Sequence, residues 1–381
     1  MKPRYKLKNY NFKLVLFAII LSVIGIMMIG SAKESVQSRQ ILGLVLGLGI
    51  MMFLTFIDYS FLLKFYWVIY FLNIALLTLV MFVGDKSNNA QRWIEIAGVR
   101  FQPSELAKIL LILFYAQFIM KHRAKLNRLK TIAMMIALVI PPLVLVYKQP
   151  DLSTTIMIFA IFCILIFIGG LSMKIIGGVL AVVVPIIIIT LLLVVQPDQN
   201  IIKDYQQNRI LAWLQPDKYS NTEGYQQQNS IVAIGSGQLS GKGYKNNEVG
   251  SVKNGNFISE PQTDFIFAIV GEELGFNGCI IIIILNILIS FELLKMGRRA
   301  KDISGTLICA GVAANVAIQS FFNISVATGV LPNTGLPLPF VSYGLTSLVS
   351  LYIGLGVALN VGLQPHSDRE YASFDDVDFD F

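Results

Sequence analysis

The sequence predicts an all-α polytopic membrane protein of about ten transmembrane helices, with a large extracellular loop between spans 7 and 8. Three observations predict it. Of 381 residues, 55% are hydrophobic and 14% charged, and the mean hydropathy is +0.67. The apolar residues fall in blocks of about twenty, the length a bilayer requires, rather than in amphipathic stripes. The basic residues cluster in short segments beside those blocks, so the net charge of +7 reflects membrane topology and argues against a nucleic-acid partner.

Taken in order, the spans cover roughly 13–31, 39–58, 62–83, 103–120, 131–147, 153–170, 174–195, 262–292, 303–323 and 341–362. The first follows a basic segment but has no small-residue cleavage site, so it reads as a retained helix and not a signal peptide. Three cationic segments set the orientation: Lys2 to Lys13, Lys121 to Lys130, and Lys295 to Lys301. Under this count they share one face, which places the chain in the cytoplasmic membrane with both termini cytoplasmic. Residues 1–366 form one transmembrane domain, and 367–381, with six acids and one Arg, form an acidic, disordered cytoplasmic tail. Cys163, Cys279 and Cys309 lie in apolar blocks without disulfide or metal spacing. No internal repeat is visible, which counts against an inverted-repeat transporter.

The outer loops hold the available chemistry. They run over 84–102, 148–152, about 196–261 and 329–340, and the third is too long for a simple connector. The only histidines, His122 and His366, fall on the cytoplasmic side, so an external Ser-His-Asp triad or His-ligated metal is excluded. Carboxylates with Lys and Arg remain, a set suited to a phosphate-bearing substrate and a carboxylate base or hard-cation ligand. Asp264 stands where the polar loop becomes an apolar helix, and Ser259 with Gln262 has capping-box spacing, so that helix is expected to begin there. Glu272 lies about 80° around the helix from Asp264, close enough to share a cavity, while Glu273 lies about 180° away and faces a neighbouring helix. By spacing alone, Trp93 reads as an interfacial anchor, Glu105 with Lys108 as a local ion pair, and Asp151 as a helix N-cap. The prolines and glycine of 332–340 break a span and must face protein or a cavity.

QRWI, FQPSELAK, KQPDLST, GYQQQNSIVAIGSGQLSGKG, EPQTDFIFAIVGEELGF and NTGLPLPFVSYG occur in this order on the ten spans, between residues 91 and 350. Together they resemble the SEDS family (shape, elongation, division and sporulation), which includes RodA, FtsW and SpoVE. KQPDL, the IGSGQLSGKG loop and TGLPLPFVSYG look most like the RodA, elongation-type branch. The chain departs from the common pattern at Ser153, Gln262 and Leu345-Thr346, which bears on local loop geometry.

The resemblance implies a peptidoglycan glycosyltransferase that polymerises lipid II at the outer face of the membrane. It also implies a class B penicillin-binding protein as transpeptidase partner, with elongation-complex membrane and cytoskeletal proteins. Asp264 is the essential acid in this reading, with Trp93, Glu105 and Lys108 also important. Arg92, Lys108, Arg209 and Lys242 are candidates to stabilise the departing pyrophosphate, and Glu272 to line the substrate cavity. Asp264 acts as general base or as ligand of a divalent cation, Mg or Mn; the residues leave both open. A flippase for lipid-linked precursors and a non-catalytic scaffold are the alternatives.

Overall fold

The computed structural model describes residues 5–364 except 88–89, 97–98, 179–180, 182–184, 186–203, 217, 220–221, 223, 246–250, 252–254 and 256. Its helices are α1 (Phe12–Ala32), α2 (Gln37–Thr55), α3 (Tyr59–Lys64), α4 (Tyr66–Val83), α5 (Pro103–His122), α6 (Leu129–Lys148), α7 (Leu152–Ile168), α8 (Asp204–Leu214), α9 (Tyr225–Ser236), α10 (Ile266–Arg298), α11 (Ile303–Ala327) and α12 (Leu345–Leu363). Among the described residues, eight helices are long and apolar enough to cross a membrane, and α7 is a shorter apolar one. The expected span 174–195 falls for the most part outside the described residues, as does the acidic tail.

Local chemistry sets the helix starts. Asn11, Asp151 and Asp302 cap α1, α7 and α11 by accepting from the backbone N–H three residues on. Pro103 occupies the first turn of α5 with Glu105, and Lys121 and His122 lie in its last turn, the polarity a helix dipole favours. The core is built on α5, α11 and α12, which bury 83%, 72% and 72% of their spanning windows, against 28% for α4 and α6. Because lipid removes the hydrophobic drive between helices, close approach and polar bonds must hold the bundle. Gly43 and Gly47 on α2 supply the approach: a Cβ at Gly47 would sit 2.6 Å from the Tyr352 ring of α12. Asn360 adds the bonds, donating to Thr55 O at 2.8 Å and accepting from Tyr59 N at 2.9 Å.

Two expectations change. The outer segment 84–102 is not a plain loop: β1 (Asp85–Ser87), β2 (Ala90–Ile96) and β3 (Val99–Phe101) form an antiparallel sheet in the order β1-β2-β3. The β-favouring Trp93, Ile94 and Ile96 of RWIEI suit a strand, and this short sheet qualifies the all-α reading without altering the bundle. The capping box does not form either. Helix α10 begins at Ile266, while Ser259 accepts from Gln226 and Gln262 donates to Glu260. The carbonyls of 262–264 are taken instead by Tyr343 N, Ser342 Oγ and Asn323 Nδ2, so this turn serves tertiary contacts before a helix can begin.

The first and last described segments meet at one end of the bundle, where Lys6 N donates to Leu363 O at 3.1 Å and Asn11 Nδ2 to Glu292 of α10 at 2.8 Å. The turn carrying Asp264 lies at the opposite end of α10.

Candidate active site

Asp264 sits one residue before the N-cap position of α10, in a turn fastened from two sides. Asn323, on α11, donates to Asp264 O at 2.8 Å and to Leu336 O at 2.7 Å, so one amide joins the turn to the loop after α11. Ser342 Oγ donates to Thr263 O at 2.5 Å and accepts from Leu338 N at 2.8 Å, and Gln40 of α2 donates to Ser342 O at 3.1 Å. The carboxylate then faces Gly335: a Cβ there would come within 3.4 Å of Asp264 Oδ2, and φ of +72° at Gly335 further disfavours a side chain. A Cβ at 335 would thus rest in van der Waals contact with the acid, and a side chain extending beyond it toward the acid would crowd it.

Asp264 is half-buried between the Gly335 loop, the turn before α7 and the elements that carry Arg92 and Arg209, so it lines a cleft. Burial pushes its carboxyl above the ordinary range; the Arg209 and Arg92 charges pull it back down, and Asp151 pushes it up. Each of these three comes from a different element. Arg92, on β2, donates from Nε to Gln149 O at 3.0 Å and from Nη2 to Pro150 O, clasping the turn before α7. Asp151 in that turn caps α7 through Thr154 N at 3.1 Å and accepts from Gln102 at 3.4 Å. Arg209, on α8, is exposed and donates to Asn333 O at 3.4 Å, next to the Gly335 loop.

The outer loop is docked rather than loose. Gln227 and Ser230 of α9 donate to Val326 O and Ala327 O, each at 2.8 Å, and Trp213 of α8 to Gly329 O at 3.1 Å. These carbonyls lie at or just beyond the C-terminal end of α11, where backbone acceptors run short of helical donors.

Of the residues singled out in the sequence, Asp264, Arg92 and Arg209 come together. Trp93 is the strand neighbour of Arg92, so pleating turns its side chain to the other sheet face; it is half-buried. Lys108 does not reach a departing pyrophosphate. It is 1% exposed, and its Nζ is held by Glu105 at 2.9 Å and by Gln319 at 2.8 Å, since an ammonium at that depth requires acceptors. Gln319 in turn donates to Pro337 O at 2.9 Å, so Glu105 and Lys108 support the loop beside Asp264 from below. Glu272 does not share the Asp264 cleft as a free lining group: it pairs with Lys242 at 3.0 Å and accepts from Ser251 at 3.3 Å. Lys242 is thereby engaged with a carboxylate two turns into α10, not poised as a free cation over Asp264. Glu273 faces α1, as its angle suggested, accepting from Ser31.

Sequence reasoning missed Asn323 and Gln319. They are polar residues four apart on one face of an apolar helix, and amides at such depth are themselves the signal.

Among the described residues, no group of three His, Cys, Asp or Glu could hold a metal by itself. Asp264 does stand near a second carboxylate, Asp151, and near the buried, unpartnered oxygens Asn333 Oδ1 and Thr334 Oγ1 in the loop that carries Gly335. Hard oxygen donors with few carboxylates fit a Mg or Mn ion that is completed by substrate phosphates.

Residues 7–366 match the FtsW, RodA and SpoVE family, described as cell cycle protein. Peptidoglycan glycosyltransferase MrdB of Escherichia coli is 35% identical over 305 residues, covering 80% of this chain and 78% of MrdB. Probable peptidoglycan glycosyltransferase FtsW of Geobacter metallireducens is 31% identical over 372 residues, covering 93% and 95%. A solved chain from a peptidoglycan synthase complex that coordinates polymerization and crosslinking superposes with a TM-score of 0.77 at 28% identity, over 93% of this chain and 97% of that one. The rod shape determining protein RodA of Thermus thermophilus superposes with 0.69 at 26% identity, over 94% and 98%.

Proposed function

The chain belongs to the SEDS family of FtsW, RodA and SpoVE and is, by that kinship, a multi-pass membrane peptidoglycan glycosyltransferase; from that premise we propose that Asp264 drives lipid II polymerisation at the outer face of the membrane. The observation that carries this is a carboxylate on a cleft, with two arginines acting on it and its backbone fixed by α11 and the loop before α12.

Asp264 takes the proton from the acceptor sugar's 4-hydroxyl, and that oxygen attacks the anomeric carbon of the donor. The C–O bond to undecaprenyl pyrophosphate breaks, the centre inverts, and the pyrophosphate leaves with the bonding pair. Arg209, exposed at the rim, meets that charge, while Arg92 contributes through its field and by holding the Gln149–Pro150 turn. In the alternative role for this residue, Asp264 would hold a Mg or Mn ion, which would neutralise pyrophosphate oxygens.

In our reading the chain works in elongation, supported by its KQPDL, IGSGQLSGKG and TGLPLPFVSYG stretches and by the match to MrdB. The FtsW of Geobacter metallireducens matches over more of the chain, so a rod-shape rescue set beside a division rescue is the test of branch. The partner we assign is a class B penicillin-binding protein, on the likeness to the synthase complex. The deciding experiment is polymerisation of labelled lipid II by the purified pair. Wild type should make glycan strands, and Asp264→Asn should lose about 10²–10⁴-fold in rate at equal monodispersity. Transport of lipid II by proteoliposomes without polymer would instead make the chain a flippase, and an Asp264→Asn variant with full activity would remove the aspartate from the mechanism.

A further inference from the structure

At the end of the bundle opposite Asp264, a cavity of about 390 Å³ opens between the segment Lys8–Lys13, the last turns of α10, and Gly362 of α12. Four exposed cations line it: Lys8, Lys13, Lys295 and Arg299. Its one acid, Glu292, is buried and already accepts from Asn11 at 2.8 Å, with Lys295 at 3.9 Å. Among the described residues, Lys8, Lys13 and Arg299 have no acidic group within 4 Å. The Tyr10 and Phe12 rings, 4.6 Å apart, add aromatic surface at the rim, and Phe12 is exposed. A site of this make-up suits an acidic, aromatic peptide.

We infer that the occupant is this chain's own segment 367–381. It carries Asp368, Glu370, Asp375, Asp376, Asp378 and Asp380 against the single Arg369, with Tyr371, Phe374, Phe379 and Phe381 among them. Over 376–381 acid and apolar residues alternate, so an extended binding pose has one acidic and one apolar edge. The tether strengthens the case. Gly362 lines the cavity, and Gln364, two residues on, is the last described residue before the segment, so the chain leaves α12 at the cavity's edge. A short flexible connection gives an effective concentration in the mM range, so an intrinsic affinity of that order keeps the site half filled or better. Anionic lipid headgroups meet the same cations but have neither the tether nor the aromatic edge. The site is thus self-occupied, and another anionic ligand gains it only by displacing the segment.

The test uses the full chain in phosphatidylcholine vesicles with benzoylphenylalanine in place of Phe379, irradiated and mapped by mass spectrometry. Adducts should fall in 8–13 and 292–299 at several times their level in 121–130, a cationic segment of the same face. Replacing Asp375, Asp376, Asp378 and Asp380 by Asn should cut them about tenfold, as should Lys8→Gln with Lys13→Gln and Lys295→Gln in chains that stay monodisperse. Equal labelling of 121–130, or labelling indifferent to the Asp→Asn set, overturns the proposal. So does loss of the adducts in vesicles containing phosphatidylglycerol, which would assign the cavity to lipid headgroups.

Discussion

Asp264, the carboxylate we propose as the base, is held where burial resists its charge, and two arginines offset that resistance. The sign for catalysis follows. Burial lifts the Asp264 carboxyl, so the deprotonated base is populated only above the ordinary aspartate range, and the rate should climb with pH through that raised value. Arg92→Gln removes a lowering influence and should move the acid limb of the kcat/KM profile to higher pH, with the deficit shrinking as pH rises; Arg209→Gln should act in the same direction. A parallel drop at all pH values would mean that Arg92 acts only by holding its turn. Stability carries the same sign. A raised folded-state pKa means that the folded chain favours the protonated acid, so this stabilisation is complete below the unfolded pKa and is lost as pH rises through the folded one. Asp264→Asn should therefore match wild type in thermal midpoint at low pH and equal or exceed it at neutral pH. Lys108 poses a different question, since it is buried with Glu105 beneath the Pro337 loop. Lys108→Met strands a buried carboxylate and should cost about 3–5 kcal/mol, whereas Lys108→Met with Glu105→Gln should recover most of it. The double variant still loses the bond that fixes Gln319, and a misplacement of about 1 Å in a site can cost about 10²-fold in rate. A thermal scan and the polymerisation assay on wild type and the two variants separate stability from positioning.

At the scale of elements, the sequence located nine of its ten spans on described helices, because runs of about twenty apolar residues have few alternatives in a bilayer. It misplaced what long-range bonds decide. The start of α10 is set by Tyr343, Ser342 and Asn323, none of them near Gln262 in sequence, and a local capping signal could not reveal them. Asp264 stood out because an acid at a loop-to-apolar boundary is locally conspicuous, whereas the roles of Lys108 and Lys242 depended on partners 211 and 30 residues away. Helix α10 also hides a break. Gly275 has φ of +64° and ψ of −161°, interrupting the helical bonds, and the loop after α9 replaces them. Lys242 N and Gly243 N donate to Glu272 O and Glu273 O at 2.9 and 3.0 Å, while Phe276 N and Asn277 N donate to Gln238 O and Leu239 O at 2.8 and 3.2 Å. A Cβ at Gly275 would stand 2.3 Å from Gly241 N, and the backbone conformation itself excludes other residues. Gly275→Ala should release this splint, costing about 1–3 kcal/mol from backbone strain alone. Limited proteolysis should then cut within 237–251 faster than in wild type, and unchanged protection would show that the splint is not needed to hold the loop.

At the scale of the whole molecule, the bundle has two unlike ends. Lys6 bonds to Leu363, Asn11 to Glu292, and Tyr59 to Asn360, while Lys121 lies 4.5 Å over the Tyr66 ring, so the N-terminal segment, the ends of α5, α10 and α12, and the start of α4 share one end. The described parts of the three cationic segments read from the sequence therefore lie at the same end of the bundle. Each short cationic segment biases its flanking helices to keep it in the cytoplasm, and three in agreement leave the bundle little choice of orientation. In the orientation we propose, Asp264, the sheet and the helices α8 and α9 face outward, where Arg209 and Asn333 meet the cleft. Alkaline phosphatase, active only outside the membrane, should be inactive when fused after Gln364 and active when inserted at Lys218. Because the three segments act together, neutralising Lys121, Arg123, Lys125, Arg128 and Lys130 alone should leave that pattern intact. Inversion by that change would show that one segment dominates. Activity at both fusion points would break the even count of spans, and with it the placement of Asp264 on the face where polymer is made.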